Sequence, residues 1–187
     1  MGIKDKKPLI YLISGKARHG KDTTAAMIKN YYEKKGKKVI NLQYSSYIKE
    51  YAKKISNWDG SEEAKPRELL QQLGTNIIRQ KIDPLFFVDA IIKDIKVYSF
   101  FFDVIIVSDV RTPEEIDYPK NNFDNVIALN IRRVNFDNGL TDEQKKHYTE
   151  IALDNYENFD YIVMNDGTIE DLNQKIDKIL EGIEHES

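Results

Sequence analysis

A short glycine-bounded segment constrains this chain more than any other part of its 187 residues. A continuous apolar run, Leu9 to Ser14, meets Gly15-Lys16-Ala17-Arg18-His19-Gly20-Lys21-Asp22-Thr23, and a helical stretch follows from Thr23 to Lys35. Glycine, four residues and glycine-lysine, set between a strand and a helix, is the spacing of a phosphate-binding loop. Gly15 and Gly20 let the backbone curl until successive N–H groups face one anion, and the helix start adds its positive end. Lys21 would reach the outer phosphates and stabilise charge on a transferring group. A hydroxyl that ligates magnesium normally follows the lysine; here Asp22 stands there and Thr23 follows. On this reading Asp22, directly or through water, or Thr23 serves the metal. The plain alternative is a helix start in which Gly20 turns the chain and Asp22 caps the first turn.

The rest of the chain alternates strand and helix signals. Lys38–Tyr44, Phe101–Ser108, Asn125–Ile131 and Tyr161–Met164 read as further strands. Gly36 closes the first helix, and the flanking Lys34, Lys35, Lys37 and Lys38 read as a solvated cap rather than a binding patch. Ser45 or Ser46 can cap a helix to about Ile55, and Asn57–Lys65 reads as a polar turn segment. Pro66 opens a helix carrying Leu69, Leu70 and Leu73, which Gly74 interrupts before Thr75–Gln80 resumes it. Pro84–Val97 reads as another helix. Thr112-Pro113-Glu114-Glu115 has the form of a capping box. Arg132–Asn158 is polar and aperiodic, the place for a mobile lid. Ile169 to Ile183 marks an amphipathic helix with Thr168 as its cap. Five strands alternating with helices predict a parallel sheet between helical layers, with ligands beyond the strands' carboxyl ends.

Composition narrows the function. Lysine plus arginine is 28 and aspartate plus glutamate 31, a net charge of −3, which excludes a polyanion-coating protein. The absence of cysteine excludes thiolate zinc sites, disulfides and cysteine nucleophiles. A charged fraction of 32% leaves no room for a membrane domain. Leu9–Ile13 is too short for a signal peptide core, and Lys6 stands where a Met-Gly myristoylation signal needs Ser or Thr. The three histidines lack metal-ligand spacing; His19 can touch a phosphate.

Asp109 follows the Phe101–Ser108 run, in place to serve magnesium, water or the acceptor phosphate, with a surface carboxylate as the plainer reading. Arg111 follows two residues later. Phosphoryl transfer needs cations around the moving oxygens, and arginine supplies bidentate ones. Candidates are Arg18, Arg67, Arg79, Arg111, Arg132 and Arg133. Trp58 reads as a packing residue in a polar segment, with an acceptor-base pocket as the alternative.

Four blocks resemble the deoxynucleoside monophosphate kinases of the phage type, within the P-loop nucleoside monophosphate kinases. They are SGKARHGKDTTA (Ser14–Ala25), RELLQQLGTNIIR (Arg67–Arg79), DVRTPEEID (Asp109–Asp117), and HYTE (His147–Glu150) with MNDGTIEDL (Met164–Leu172). Their order spans nearly the whole chain, and Gly-Lys-Asp-Thr is itself the family's form. The resemblance implies a three-layer α/β/α P-loop NTPase fold with a five-stranded parallel sheet and a small lid, as one domain over 1–187. The acceptor region would span about 45–82 and the lid about 132–158. It implies ATP as phosphoryl donor, held by Gly15, Lys16, Ala17, Arg18, His19, Gly20, Lys21, Asp22, Thr23 and Arg132, with Asn165-Asp166-Gly167 near the adenine. A plain turn is the other reading of those last three. Arg67, Gln71, Thr75 and Arg79 would bind the acceptor. Lys21, Asp109, Arg111 and Arg133 would be catalytic, with Mg2+ on Asp22, Thr23 or Asp109. Arg132, Arg133, His147 and Glu150 would belong to the lid. Set beside the phage enzymes it resembles, the chain looks shorter between the Trp58 region and Arg67.

The expected reaction is ATP-dependent transfer to a nucleoside or deoxynucleoside monophosphate. Other readings are a kinase of another small acceptor, such as dephospho-coenzyme A or phosphomevalonate, and an ATP-binding module without transfer. A GTPase is excluded by the lack of an Asn-Lys-x-Asp motif. Expected partners are nucleotide substrates, with no nucleic acid and no membrane, in a cytoplasmic monomer or homodimer.

Overall fold

The computed structural model describes residues 3–186; the Met1-Gly2 start named in the myristoylation reading lies outside them. Five parallel strands, β1 (Leu9–Ser14), β2 (Val39–Leu42), β3 (Val104–Val110), β4 (Val126–Arg132) and β5 (Tyr161–Met164), lie in the order β2-β3-β1-β4-β5. β1 is central, paired with β3 on one side and β4 on the other. Its residues alternate between two cores. Ile10 and Leu12 pack with Ile105 and Val107 under α2 (Tyr44–Ser56), α4 (Phe86–Tyr98) and α5 (Glu114–Asn122). Tyr11 and Ile13 pack with Val104 and Ile106 under α1 (Lys21–Lys34) and α8 (Ile169–Glu186). Both faces are covered, which is why the strands read as apolar runs.

Several boundaries match their signals. Gly36, at φ 75°, ends α1: its N–H donates to Glu33 O and the Lys37 N–H to Tyr32 O. Thr168 caps α8, its hydroxyl accepting from the Asp171 N–H while Asp171 accepts from Thr168. Trp58 is buried with Ala52 and Leu73 and donates to Ser61 O, a packing role.

Other expectations are corrected. Tyr44 begins α2 rather than ending β2. Neither Ser45 nor Ser46 caps that helix; the Asp109 carboxylate accepts from the Tyr44 and Ser45 N–H groups at 2.8 and 2.9 Å. β3 starts at Val104, leaving Phe101 outside and Asp109 inside the strand. Gly74 does not interrupt its helix: α3 (Arg67–Gln71) runs directly into a π-helix, Gln72–Ile82. A Cβ on Gly74 would meet Ile48 at 2.8 Å, so the glycine serves close packing. The capping box at Thr112 is not made; α5 starts after Pro113, and the Glu115 carboxylate accepts from the Arg111 N–H at 2.7 Å instead. The stretch after β4 holds two four-residue helices, α6 (Asp142–Lys145) and α7 (Tyr148–Ile151).

Candidate functional site

The loop Gly15–Gly20 leaves β1 at its carboxyl end, between the ends of β3 and β4. Both glycines are sterically required. A Cβ on Gly15 would meet the Ile131 carbonyl oxygen at 2.5 Å, and one on Gly20 would meet Asn165 Nδ2 at 2.6 Å, with φ at 146° and 102°. Asn165 also donates to His19 O at 3.0 Å, so the Asn165-Asp166-Gly167 turn braces the loop from behind. Arg18, at φ 60°, lies against Gly139 of the segment after β4.

Lys21 is buried and folds back over the loop, donating to Gly15 O and Lys16 O at 2.8 and 2.9 Å. Burial, with Arg111 adding to it, pushes its ammonium down to about 8, while Glu150, Asp22 and Asp109 pull the other way. His19 is also buried. Its Nδ1 accepts from the Arg133 N–H at 3.2 Å, and burial lowers its pKa, with Lys21, Lys16 and Arg133 adding to the shift.

The segment after β4 reaches the loop with acids. Glu150 on α7 accepts from the Ala17 N–H at 3.2 Å through one oxygen and from the Arg111 guanidinium through the other. Asp154 pairs with Lys16 at 2.8 Å. A carboxylate that bridges a loop N–H and an arginine, beside a buried lysine, occupies ground where an anion is wanted. Next to it lies a cavity of about 600 Å³, in the size range of small-molecule sites. Gly15, Lys16, His19, Arg111, Arg132 and Arg133 line it, together with Glu150.

The structure therefore gathers the loop, Arg111, Arg132, Arg133 and Glu150. The cavity lining does not include Arg67, Gln71, Thr75 or Arg79. Arg67 is exposed and pairs with Glu62, and Gln71 is exposed. Arg79 is turned inward onto Glu115 and Gly74 O. Asp109 commits both oxygens to the start of α2, whereas Asp22 is exposed in the first turn of α1. Thr23 is half-buried.

Sequence reasoning missed two contributors. Phe136 lines the cavity, with the Arg133 guanidinium 3.8 Å from its ring centre and the His19 ring edge-on to it. An aromatic shortly after Arg132-Arg133 in a polar stretch was the available signal. Glu115, fully buried, accepts from Arg79 and Arg111; burial pushes its carboxyl up to about 7 against the pull of Arg79 and the Arg111 N–H.

A parallel sheet in this order, with a glycine loop from the central strand into α1, defines a P-loop α/β/α protein. Solved P-loop kinases share the fold. A shikimate kinase from Bacteroides thetaiotaomicron superposes with a TM-score of 0.55 at 14% identity, over 92% of this chain and 98% of that one. An APS kinase from Mycobacterium tuberculosis, in complex with AMPPNP and APS, gives 0.52 at 10% identity over 93% and 98%. The family model described as deoxynucleotide monophosphate kinase matches residues 29–176, most of the chain, beginning after the loop. The chain belongs to that family. A deoxynucleotide monophosphate kinase of Escherichia phage RB69 is 30% identical over 115 residues, 61% of this chain. The match spans 44% of that relative's length. Among the described residues no helix is long and apolar enough to cross a membrane.

Proposed function

We propose that the chain is an ATP-dependent kinase of a nucleoside or deoxynucleoside monophosphate, giving the diphosphate and ADP. One domain would serve, with the acceptor side at about 45–82 and the lid at about 132–158. The observation that carries this reading is the Glu150 carboxylate on the Ala17 N–H and Arg111. The protein's own anion sits among a loop donor, a guanidinium and the buried Lys21, on the wall of a nucleotide-sized cavity.

A triphosphate entering the loop would take over these donors, and Lys21 would turn from Gly15 O and Lys16 O toward the outer phosphates. An oxygen of the acceptor phosphate attacks the γ-phosphorus in line as the bond to the β-phosphate oxygen breaks. That oxygen is already anionic, so no strong base is needed, and the work is positioning and charge stabilisation. Lys21, Arg111 and Arg133 supply positive charge, and the lid excludes water. The residues present fit a magnesium ion held mostly by phosphates and water. No group of three metal-binding acids or histidines occurs among the described residues, and such a site needs only one or two carboxylates. Asp22 is the acid whose oxygens are not already committed, with Thr23 beside it. The ion would neutralise charge on the transferring group.

A coupled assay for ADP release across a panel of nucleoside monophosphates tests this. Turnover with one or more of them is expected; none with any of them, at millimolar acceptor, refutes it.

A further inference from the structure

Arg79 stands within the block that resembles an acceptor-binding segment, yet its guanidinium is engaged inside the protein. Nη1 donates to Gly74 O and Nη2 to Glu115, both at 3.0 Å, and the group lies 4.9 Å from the centre of the Phe87 ring. The Glu115 side chain is 2% exposed and that of Arg79 17%, so water screens the pair little. The second Glu115 oxygen accepts from the Arg111 N–H at 2.7 Å. One buried carboxylate thus joins two arginines, the first through its guanidinium and the second through its backbone. Arg111 then extends its own guanidinium to the cavity and to Glu150. The same strand end is held from the other side, where Asp109 accepts from the first two N–H groups of α2. A buried ion pair adds little net stability over an apolar pair of equal volume; what it adds is direction.

We propose that Arg79 and Glu115 are positioning residues that hold the Arg111 backbone so its guanidinium meets the transferring phosphoryl group. The pair also ties that turn to the π-helix on the acceptor side. The role given to Arg111 rests on the kinase reading above; the geometry of the pair does not.

Wild type, Arg79→Met, Glu115→Gln and the double variant decide the matter. Each is assayed well below its unfolding temperature for transfer to nucleoside monophosphates and for affinity to a nonhydrolysable ATP analogue. Arg79→Met strands the Glu115 carboxylate and lowers kcat by about ten- to a hundredfold, as small misplacements of a transition-state group do. The acceptor KM changes by less than about threefold, because no acceptor contact is lost. The double variant, whose amide still accepts from the Arg111 N–H, recovers most of kcat. A merely structural pair would lower the melting temperature and leave kcat per folded molecule unchanged. A raised acceptor KM at unchanged kcat in Arg79→Met, or a double variant no better than it, overturns the proposal. If Arg79→Met does not fold, Arg79→Lys replaces it, since a lysine cannot reach both Gly74 O and Glu115 as a fork does. If wild type phosphorylates no nucleoside monophosphate, the kinase reading falls and the analogue still decides the pair. Affinity weakened in Arg79→Met and restored in the double supports positioning; equal affinity in all four proteins overturns it.

Discussion

Replacing Glu150 with glutamine should tighten the binding of a nonhydrolysable ATP analogue. Glu150 holds the Ala17 N–H and the Arg111 guanidinium, and a triphosphate seated in the loop needs both donors. The free protein must give up this contact before the phosphates can enter. The Glu150 and Arg111 side chains are 11% and 27% exposed, which places the pair between two reference cases. An exposed ion pair contributes about 0–1 kcal/mol, and a hydrogen bond to a charged group about 1.5–3 kcal/mol. An amide keeps some hydrogen bonding to both donors, so the lost part is of order 1–1.5 kcal/mol, about five- to tenfold in Kd. Calorimetric titration of wild type and Glu150→Gln at neutral pH reads this directly. The difference should shrink as salt rises from about 0.05 to roughly 0.5 M, because the coulombic part of the competition is screened. Binding is the readout rather than turnover, since turnover also depends on whatever Glu150 touches once nucleotide is bound. Unchanged or weaker binding in Glu150→Gln would refute the idea that this carboxylate stands on phosphate ground.

Lys21→Met should abolish transfer, and the affinity of wild type for the analogue should fall as pH rises through about 8, where the buried ammonium loses its proton. Affinity flat to pH 9.5 would contradict that. The sign for ligand-free stability is opposite: the buried charge costs stability below about 8, and the cost is relieved as pH rises from there toward the ordinary lysine value. Gly20→Ala puts a Cβ 2.6 Å from Asn165 Nδ2 at a positive φ, and should cost about 1–3 kcal/mol in chemical denaturation while weakening the analogue. Gly15→Ala should cost more, since its Cβ meets a backbone carbonyl at 2.5 Å. Asp109→Ala should lower stability by about 1–2 kcal/mol by uncapping α2. The magnesium concentration for half-maximal transfer should rise in Asp22→Ala and stay near wild type in Asp109→Ala. The reverse pattern would make Asp109 the metal's acid.

The parts legible in the sequence are those whose causes are local. The glycine spacing of the loop, the Gly36 stop and the Thr168 cap each depend on residues within a few positions, and the structure shows each where its signal lies. The apolar runs β1 and β3 are legible because burial on both faces leaves no room for polar residues. The misreadings share a different cause. Thr112-Pro113-Glu114-Glu115 carries every local mark of a capping box, but Glu115 has a stronger claim on it from Arg79, 36 positions earlier in the chain. Ser45 and Ser46 are good caps that are not needed, because Asp109 arrives from 64 positions later with a full negative charge at the start of α2. In the first case a long-range guanidinium claims the local carboxylate, and in the second a long-range carboxylate outcompetes a local hydroxyl; charge-assisted bonds in a partly buried setting are the stronger ones.

That competition also explains why the site was legible by composition and not by role. The sequence marks the cations as candidates for phosphate, but it cannot say which of them already have anions. Of the arginines it offers, Arg67 is taken by Glu62 on the surface and Arg79 by Glu115 inside. Arg111 is held at its backbone by Glu115, which leaves its guanidinium for the cavity and for Glu150. Arg133 gives its backbone N–H to His19 and lays its guanidinium on Phe136 at the cavity wall. The arginines suited to phosphate are therefore those whose structural bonds are made by the main chain. Their guanidinium groups stay at the cavity, Arg111 on Glu150 and Arg133 on Phe136, and the partners that fix the backbone fix where each can point.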